Sequence, residues 1–271
     1  MGIIMGIDIG GSTTKLAGIY EGKMIGSVKV EAGDRETLLF GAIGKFLYQQ
    51  GIGLNELSGI CLTGVGASFF SGDILGIKTH RIGEFEAIGR GGLKLSGLSE
   101  AIVASVGTGT AFIRAGKDGY RHLGGSGVGG GTLLGLSSLL LDEDEIPRII
   151  LLAEKGEIGN VDMLIKAVTN QEIPALPNSA TAANFGALKR YASKSDLAIG
   201  IFNLVFQTVG MLSVFSCLND SVKDIVLTGT VTEIPQFGDT MRQISDMSAV
   251  RFHIPENAAF ATAIGAVHSD I

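Results

Sequence analysis

Short apolar runs, separated by glycines and polar turns, alternate with longer amphipathic stretches in the first third of the chain. Strands are expected at residues 2–8, 13–20 and 23–31, because each run is short and bounded by turn residues. Residues 35–50 place Leu39, Ile43 and Phe46 at helical spacing, which predicts a helix. Strands at 59–63 and near 78–82 follow, and a second helix is expected from about residue 84 to 95.

The alternation continues to the C-terminus and predicts the α/β class. Strands are expected at 101–106, 109–116, 119–123, 225–228 and near 250–254. Helices are expected at 132–141, 145–155, 160–168, 180–193, 196–218, 236–246 and 258–269, and a glycine loop at 124–131. Gly200, Asn203 and Gln207 interrupt the longest apolar stretch, so 196–218 is interpreted as a buried or interface helix rather than a membrane span.

One pattern, an apolar run followed by a glycine turn and a second apolar run, occurs twice. The first copy is Ile7-Asp8-Ile9-Gly10-Gly11-Ser12-Thr13-Thr14-Lys15, and the second is Ser105-Val106-Gly107-Thr108-Gly109-Thr110. Glycine turns that carry hydroxyl side chains present backbone N–H groups and small donors to a phosphate. Two such turns that face each other can hold the phosphate chain of one nucleotide between two domains.

A second repeated pattern supports a duplicated architecture. Gly59-Ile60-Cys61-Leu62-Thr63-Gly64 resembles Asp224-Ile225-Val226-Leu227-Thr228-Gly229, and both read as a buried strand that ends in a Thr-Gly turn. Because each unit occurs only twice, the repeats predict two related domains rather than a solenoid. We expect one domain at residues 1–98 and the other at 99–271, around a central cleft, with the last helix packed near the hinge between them.

Composition limits the partners that the chain can have. The 271 residues carry a net charge of −6 without a basic block, which argues against nucleic-acid binding. The two cysteines are far apart and form no CxxC motif, so neither a disulfide framework nor a zinc site is expected. Residues 2–7 are too short and uncharged for a signal peptide, and a cytoplasmic location without membrane attachment is predicted.

Asp8 and Lys15 flank the first glycine turn. A carboxylate beside a phosphate loop is placed to hold Mg²⁺, directly or through water, although an Asp that caps the turn is the alternative. Lys15 can reach a terminal phosphate as a point charge, or it is a solvated lysine of the strand.

The glycine loop runs straight into a predicted apolar helix. Its sequence is Gly124-Gly125-Ser126-Gly127-Val128-Gly129-Gly130-Gly131-Thr132. Glycines let the backbone approach a ligand closely, and a helix N-terminus attracts anions. The loop is neither a Walker A motif nor a Rossmann fingerprint, and a flexible linker would not lead directly into a helix.

Three further side chains are candidates for catalysis. Glu84 lies at a strand-to-helix junction, where a carboxylate can take a proton from a hydroxyl or can simply favour the helix N-terminus. Arg121 and His122 end a strand before the glycine loop, where either can bind an anionic substrate or neutralise a transferred phosphoryl group. An exposed turn is the alternative for both.

At these residues the chain resembles the type II pantothenate kinases of the acetate-and-sugar-kinase/heat-shock/actin superfamily. The glycine turns carry only a superfamily-wide likeness. More specific are Glu84-Phe85-Glu86-Ala87, the loop from Leu123-Gly124-Gly125 to Gly129-Gly130-Gly131, and Thr181-Ala182-Ala183-Asn184-Phe185-Gly186. The segment from Glu256-Asn257-Ala258-Ala259-Phe260 to Ala263-Ile264-Gly265-Ala266 extends the resemblance to the C-terminus.

The resemblance implies two duplicated actin-like (ribonuclease H-like) domains around a nucleotide cleft. It implies ATP-dependent phosphorylation of pantothenate to 4'-phosphopantothenate, the first step of coenzyme A synthesis, with Glu84 as the general base. Phosphates and Mg²⁺ would be held by Asp8, Gly10, Gly11, Ser12, Thr13 and Lys15. Thr108, Gly109, Gly130, Gly131 and Thr132 would line the nucleotide and substrate site, and Gly229 and Thr230 would lie near the adenosine. It also implies a homodimer, with residues 196–218 as the candidate interface, and coenzyme A or acyl-CoA as a candidate inhibitor.

The chain departs from the family pattern at one position. The family usually has an arginine directly before the glycine loop, where it binds substrate and stabilises the transition state, and this chain has His122 there with Arg121 one position earlier. Adjacent strand residues point to opposite faces, so Arg121 cannot simply substitute. Other hypotheses therefore stay open: a kinase of another small hydroxyl compound such as an amino sugar, an ATP-driven activator of a partner protein, or a regulatory nucleotide-binding protein.

Overall fold

The first apolar segments form a mixed sheet in the computed structural model of the protein, which describes residues 2–31, 33–169, 171, 177–218 and 220–267. Its strands are β1 (Ile3–Ile9), β2 (Thr13–Tyr20), β3 (Lys23–Glu31), β4 (Leu57–Thr63) and β5 (Thr79–Arg81). Their spatial order is β3-β2-β1-β4-β5. The first three strands are antiparallel neighbours, whereas β4 runs parallel to β1 and to β5.

The second sheet repeats this arrangement. Its strands are β6 (Ala101–Val106), β7 (Thr110–Gly116), β8 (Gly119–Ser126), β11 (Asp224–Thr228) and β12 (Arg251–His253). The order β8-β7-β6-β11-β12 matches that of the first sheet strand for strand, with the same antiparallel and parallel neighbours. The duplication expected from the two repeated patterns is therefore confirmed at the level of topology, and the α/β class with it.

Eight α-helices and one small hairpin complete the described part of the chain. The helices are α1 (Arg35–Gln50), α2 (Glu84–Ser96), α3 (Gly130–Leu141), α4 (Ile146–Ala153), α5 (Ile165–Val168), α6 (Lys194–Ser216), α7 (Pro235–Asp246) and α8 (Ala261–Ala266). The hairpin pairs β9 (Met163–Leu164) with β10 (Thr181–Ala183). Short 3-10 turns lie at Leu54–Glu56, Val65–Phe69, Ile158–Asn160, Thr230–Glu233 and Ala258–Phe260.

Each sheet buries its outer face under helices of its own half. The helix α1 begins at the cap Asp34, whose carboxylate accepts a hydrogen bond from the Thr37 amide, and it packs Phe46 against β1 and β2. The helices α3, α4, α6 and α7 cover the outer face of the second sheet, where Phe202, Phe206 and Phe237 are fully buried. The outer faces of the two sheets therefore carry separate hydrophobic cores, one in each half.

The helices α2 and α8 lie between the inner faces of the two sheets, and each packs on the sheet of the other repeat. The helix α2, from the first repeat, packs Ile88 on the second sheet, whereas α8, from the second repeat, packs Ile264 on the first. The two helices touch closely because glycine stands at the crossing. A Cβ atom on Gly91 would lie 1.9 Å from the Ala261 carbonyl oxygen, and one on Gly265 would lie 2.0 Å from that of Ala87.

Two of the expected helices are wrong. Residues 160–168 form a 3-10 turn, the strand β9 and the four-residue helix α5, and residues 180–193 form β10 and turns before α6 begins at Lys194. The buried Asp162 carboxylate explains the difference, since it accepts hydrogen bonds from the Phe185 amide (2.8 Å) and the Asn203 side chain (2.6 Å). Thr181 and Asn184 also donate to it, at 3.1 and 3.3 Å. These contacts replace the helical hydrogen bonds that the apolar spacing predicts.

Smaller differences concern the ends of elements. The strand β8 extends to Ser126 instead of ending at 123, and α3 begins at Gly130 rather than 132. The expected helix at 258–269 is a 3-10 turn followed by α8, and its residues 268 and 269 lie outside the described residues. The helix α6 is long and apolar enough to cross a membrane by length and composition, and half of its most apolar window is buried inside the protein.

Candidate active site

The two glycine turns face each other across the gap between the sheets. The Gly10 amide donates to the Thr13 carbonyl at 3.0 Å, and the Gly107 amide donates to that of Gly109 at 2.9 Å, so each turn is closed on itself. The Ser12 and Thr108 hydroxyl oxygens lie 2.7 Å apart and share a hydrogen bond. A chain of phosphates inserted here would meet backbone amides and hydroxyls from both halves of the protein.

A cavity of about 370 Å³ lies behind this contact, between the inner ends of the strands. Most of the predicted site residues line it. They are Asp8, Gly10, Gly11, Ser12, Thr13, Lys15, Glu84, Thr108, Gly109 and Thr230. Strand ends from both sheets and the first turn of α2 therefore bring these side chains to one place.

Asp8 and Lys15 form a buried pair at the base of this cavity. They are register partners on β1 and β2, and the Lys15 Nζ lies 3.7 Å from an Asp8 carboxylate oxygen. Both side chains are at most one-tenth exposed. Burial raises the pKa of Asp8, and the neighbouring Lys15 charge offsets part of this rise. The carboxylate is poorly solvated here, so a bound cation would stabilise it further.

Glu84 opens α2 and reaches into the same cavity. Gly83, with φ −59° and ψ 135°, stands at the cap position, so the chain turns from β5 into the helix directly before the carboxylate. Burial raises the pKa of Glu84, the Asp8 charge raises it further, and Lys15 lowers it in part. A carboxyl group with a raised pKa is a better proton acceptor when it is ionised, which suits a general base.

A second cavity, of about 430 Å³, opens on the other side of the Ser12–Thr108 contact. Its apolar wall comes from the second half of the protein, through Leu134, Ile146, Pro147, Ile150, Val231 and Ile234. Gly130, Gly131 and Thr230, which were predicted for the site, also line it. Lys29 and Glu31 of β3 close it from the first half, and Glu233 lies at its rim with them. Its largely apolar lining suits a mostly apolar group.

Of the four predicted residues that line neither cavity, Thr132 and Gly229 shape the backbone around them. Thr132 donates its hydroxyl hydrogen to the Gly127 carbonyl at 2.9 Å and accepts from the Gly129 amide at 3.3 Å, which fixes the glycine loop at the start of α3. Gly229, at φ 93°, turns the chain after β11, and its amide donates to the Ala258 carbonyl at 3.0 Å. Thr132 therefore fixes the shape of the glycine loop, and Gly229 fixes the shape of the turn after β11.

Arg121 and His122 point away from each other, as expected for neighbours on a strand. The His122 ring stacks on Phe85, the residue after Glu84, at 4.0 Å between centroids and 4° between planes. Arg121 instead lines a separate cavity of about 490 Å³ with Leu212, Ser216 and others. The structure therefore brings His122 close to the helix that carries Glu84, and it does not bring Arg121 there.

Sequence reasoning missed several residues of the first cavity, of which Ser105, Val65 and Thr262 are examples. A signal for Ser105 was available in the repeat. Ser105 pairs with Thr228 in the second sheet as Asp8 pairs with Thr63 in the first, so it occupies the duplicate position of Asp8. Only the first copy carries a carboxylate, which makes the cleft chemically asymmetric.

Comparison of the sequence with known protein families supports the interpretation of this site as that of a kinase. A family model described as Fumble matches residues 100–263. A type II pantothenate kinase of Bacillus cereus (strain AH820) is 29% identical over 236 residues, which cover 83% of this chain and 82% of the relative. A type II pantothenate kinase of Staphylococcus aureus (strain bovine RF122 / ET3-1) is 27% identical over 276 residues, which cover 97% and 98%.

Solved structures with the same fold are actin-like proteins. The activator of the 2-hydroxyisocaproyl-CoA dehydratase from Clostridium difficile with bound ADPNP aligns with a TM-score of 0.69 at 18% identity, over 97% of this chain and 92% of that one. A ROK family glucokinase from Streptomyces griseus in complex with glucose and AMPPNP aligns with a TM-score of 0.63 at 11% identity, over 98% of both chains. At these identities the likeness establishes the fold, and the expectation of two actin-like halves is confirmed.

Proposed function

The chain belongs to the Fumble family, and we propose that it is a pantothenate kinase, a phosphotransferase with an alcohol acceptor. It transfers the terminal phosphoryl group of ATP to pantothenate and forms 4'-phosphopantothenate, which begins coenzyme A synthesis. One observation carries the proposal. Glu84, with its pKa raised by burial, lies in the same cavity as Asp8, Lys15 and the facing glycine turns. This arrangement places a proton acceptor beside a site for phosphates.

ATP is proposed to span both cavities. The adenosine occupies the second cavity against Ile146, Ile150 and Val231, where an apolar wall suits a flat base. The phosphates pass between Ser12 and Thr108, whose hydroxyls exchange their mutual hydrogen bond for bonds to phosphate oxygens. The terminal phosphate then enters the first cavity and meets Lys15.

Mg²⁺ fits this site in its usual hydrated form. No group of three acidic, His or Cys side chains that could hold a metal is found among the described residues. Mg²⁺ is commonly held by one or two carboxylates, water and the phosphates of the substrate, and the buried Asp8 carboxylate supplies the protein's share. When bound, the ion neutralises charge on the phosphates.

Glu84 removes the proton from the acceptor hydroxyl as the reaction proceeds. The hydroxyl oxygen forms a bond to the terminal phosphorus, the bond from that phosphorus to the bridging oxygen breaks, and ADP leaves with the bond electrons. The proton remains on the Glu84 carboxyl group until solvent takes it. Lys15 and the amides of both turns balance the charge that spreads over the transferred group.

The experiment is coupled ADP release with Mg·ATP, with and without pantothenate, for the wild type and the Glu84→Gln and Glu86→Gln variants. Loss of a general base costs about 10²–10⁴-fold in kcat, which is expected for Glu84→Gln. Glu86 lies in the same helical turn and forms an ion pair with Arg90, so Glu86→Gln is the matched control and stays within about twofold. Absence of stimulation by pantothenate in a wild type that binds ATP would refute the proposed substrate.

A kinase of another small hydroxyl compound is the second candidate. The observation that favours it is the position of Arg121, whose side chain lines a different cavity, whereas His122 stacks on Phe85 beside Glu84 in the sequence. A neutral imidazole supplies less charge to an anionic acceptor than an arginine does. A panel of amino sugars and other alcohols in the same assay separates the two candidates. The third hypothesis, an ATP-driven activator with an iron–sulfur cluster, would need clustered cysteines at a subunit junction. Cys61 and Cys217 are both buried, in different halves, and so do not support it.

We also propose that the protein forms a homodimer through α6. Met211, Phe215 and Leu218 near the end of this helix are 38%, 55% and 66% exposed, although its other face is core. Large apolar side chains grouped at a surface are typical of an interface. Light scattering of the wild type against a Phe215→Asp variant tests this. The cytoplasmic location and inhibition by coenzyme A or acyl-CoA stay predictions.

A further inference from the structure

Two polar contacts join the halves of the protein around the second cavity. One is the hydrogen bond between Ser12 and Thr108. The other is an ion pair in which the Lys29 Nζ lies 2.7 Å from a Glu233 carboxylate oxygen. Among the ion pairs of the described residues, Lys29–Glu233 is the one that connects the first sheet to the second half. Neither Lys29 nor Glu233 is among the site residues expected from the sequence.

Lys29 and Glu233 stand where a bound nucleotide would have to pass. Both line the cavity that is proposed for the adenosine, as do Ser12 and Thr108. Lys29 is on β3, at the outer edge of the first sheet, and Glu233 ends the 3-10 turn Thr230–Glu233 that follows the second Thr-Gly turn. The ion pair therefore joins β3 to this 3-10 turn across the lining of the cavity.

The two halves also pack on each other at the crossing of α2 and α8. There α2 and α8 cross with buried backbone contacts at Gly91 and Gly265, and separating them would expose core. The Lys29 and Glu233 side chains are 33% and 48% exposed, so water can replace their contact at small cost. Opening of the cleft would thus keep the helix crossing and break the ion pair.

We propose that Lys29 and Glu233 are positioning residues that hold the cleft closed over a bound nucleotide, and that separation of their ion pair limits nucleotide release. The inference rests on the proposed function, since it requires a nucleotide in this cavity. It adds a determinant of nucleotide retention that lies outside the phosphate turns. The residues act through cleft closure and take no part in phosphoryl transfer.

The test is the dissociation rate of a fluorescent ADP from the full chain, measured by stopped flow. Lys29→Met and Glu233→Gln are each expected to raise this rate by about two- to fivefold, the range for an exposed ion pair. The charge-reversed double variant Lys29→Glu/Glu233→Lys is expected to return it towards the wild-type rate. KM for ATP rises in the single variants, whereas kcat does not fall, which a general loss of structure would not produce.

Ionic strength gives a second readout. Raising salt from about 0.05 to 0.5 M screens an exposed pair, so release from the wild type accelerates and release from the single variants changes less. Asp239→Asn is the control, because Asp239 pairs with Arg242 on the surface of α7, away from the cavity. It is expected to leave the release rate unchanged.

Two results would overturn the inference. One is an unchanged release rate in both single variants, and the other is a double variant that releases ADP faster than either single variant. The readout needs no acceptor substrate, so binding of nucleotide without pantothenate-dependent turnover would refute the proposed substrate alone. A wild type that binds no nucleotide would refute both proposals.

Discussion

Gly91→Ala places a methyl group at the crossing of α2 and α8. The new Cβ would lie 1.9 Å from the Ala261 carbonyl oxygen, whereas ordinary contacts begin at 3.4 Å. The obstacle is backbone in a buried helix, which cannot turn aside as a flexible side chain can. The two helices would have to separate locally by about 1.5 Å, and both sheets rest on them.

The magnitude follows from two opposing effects. Overpacking of a core costs about 1–3 kcal/mol in the free energy of unfolding. The clash here is with backbone, which cannot move aside, so we take the upper end of this range, about 3 kcal/mol. Replacing glycine in a helix interior recovers about 1 kcal/mol of propensity. The expected loss in the free energy of unfolding is therefore about 2 kcal/mol. For 271 residues, with an unfolding entropy of about 2.1 cal/mol/K per residue, it corresponds to a fall in Tm of roughly 3–4 °C.

Gly44→Ala supplies a matched control of opposite sign. Gly44 is exposed in α1, and a Cβ there would meet nothing within 4 Å. The same substitution should raise the free energy of unfolding by about 0.5–1 kcal/mol. Tm from calorimetry and urea midpoints are compared for both variants. A Gly91→Ala variant as stable as Gly44→Ala would show that the helices do not cross at this distance, and the reasoning would fail.

Other substitutions test the buried network, the base and the two sides of β8. Asp162→Ala removes a buried carboxylate that accepts hydrogen bonds from several partly buried donors, so the free energy of unfolding should fall by about 3 kcal/mol, and an unchanged urea midpoint would contradict this. Glu84 must be deprotonated to act as a base, and its pKa is raised. As the pH is lowered, kcat/KM of the wild type should therefore begin to fall at a pH above the ordinary pKa of a glutamate, whereas the Glu84→Gln variant should show no such fall. His122→Ala should raise KM for the acceptor about fivefold, whereas Arg121→Ala, on the other face, should change it by less than twofold; equal effects would argue against this placement.

The repeat made the architecture predictable. Apolar runs and glycine turns encode strands and hairpins through local periodicity and backbone freedom, and both are legible without a structure. The two copies of the pattern implied two equivalent sheets, and the observed strand orders agree. Failures came where a long-range contact replaced a local preference. Asp162 accepts hydrogen bonds from Phe185 and Asn203, so residues 180–193 do not form the helix that their spacing favours.

Much of the candidate site was also within reach of the sequence. Asp8, Lys15 and Thr108 were identifiable because they stand at the ends of short strands beside glycine turns, and strand ends of this class of fold meet at a cleft. Glu84 was identifiable only through the family resemblance, since a glutamate in the first turn of a helix is ordinary. Lys29 and Glu233 carried no signal, because their pairing depends on how two distant halves dock.

The elements, their duplication and the chemical character of each turn are encoded locally, since they depend on neighbours along the chain. Tertiary packing sets which turns face each other, which helix covers which sheet, and on which face of β8 Arg121 and His122 lie. These outcomes depend on packing between residues that are far apart in the chain. Their energies are set by the whole arrangement of the two halves rather than by any local pattern.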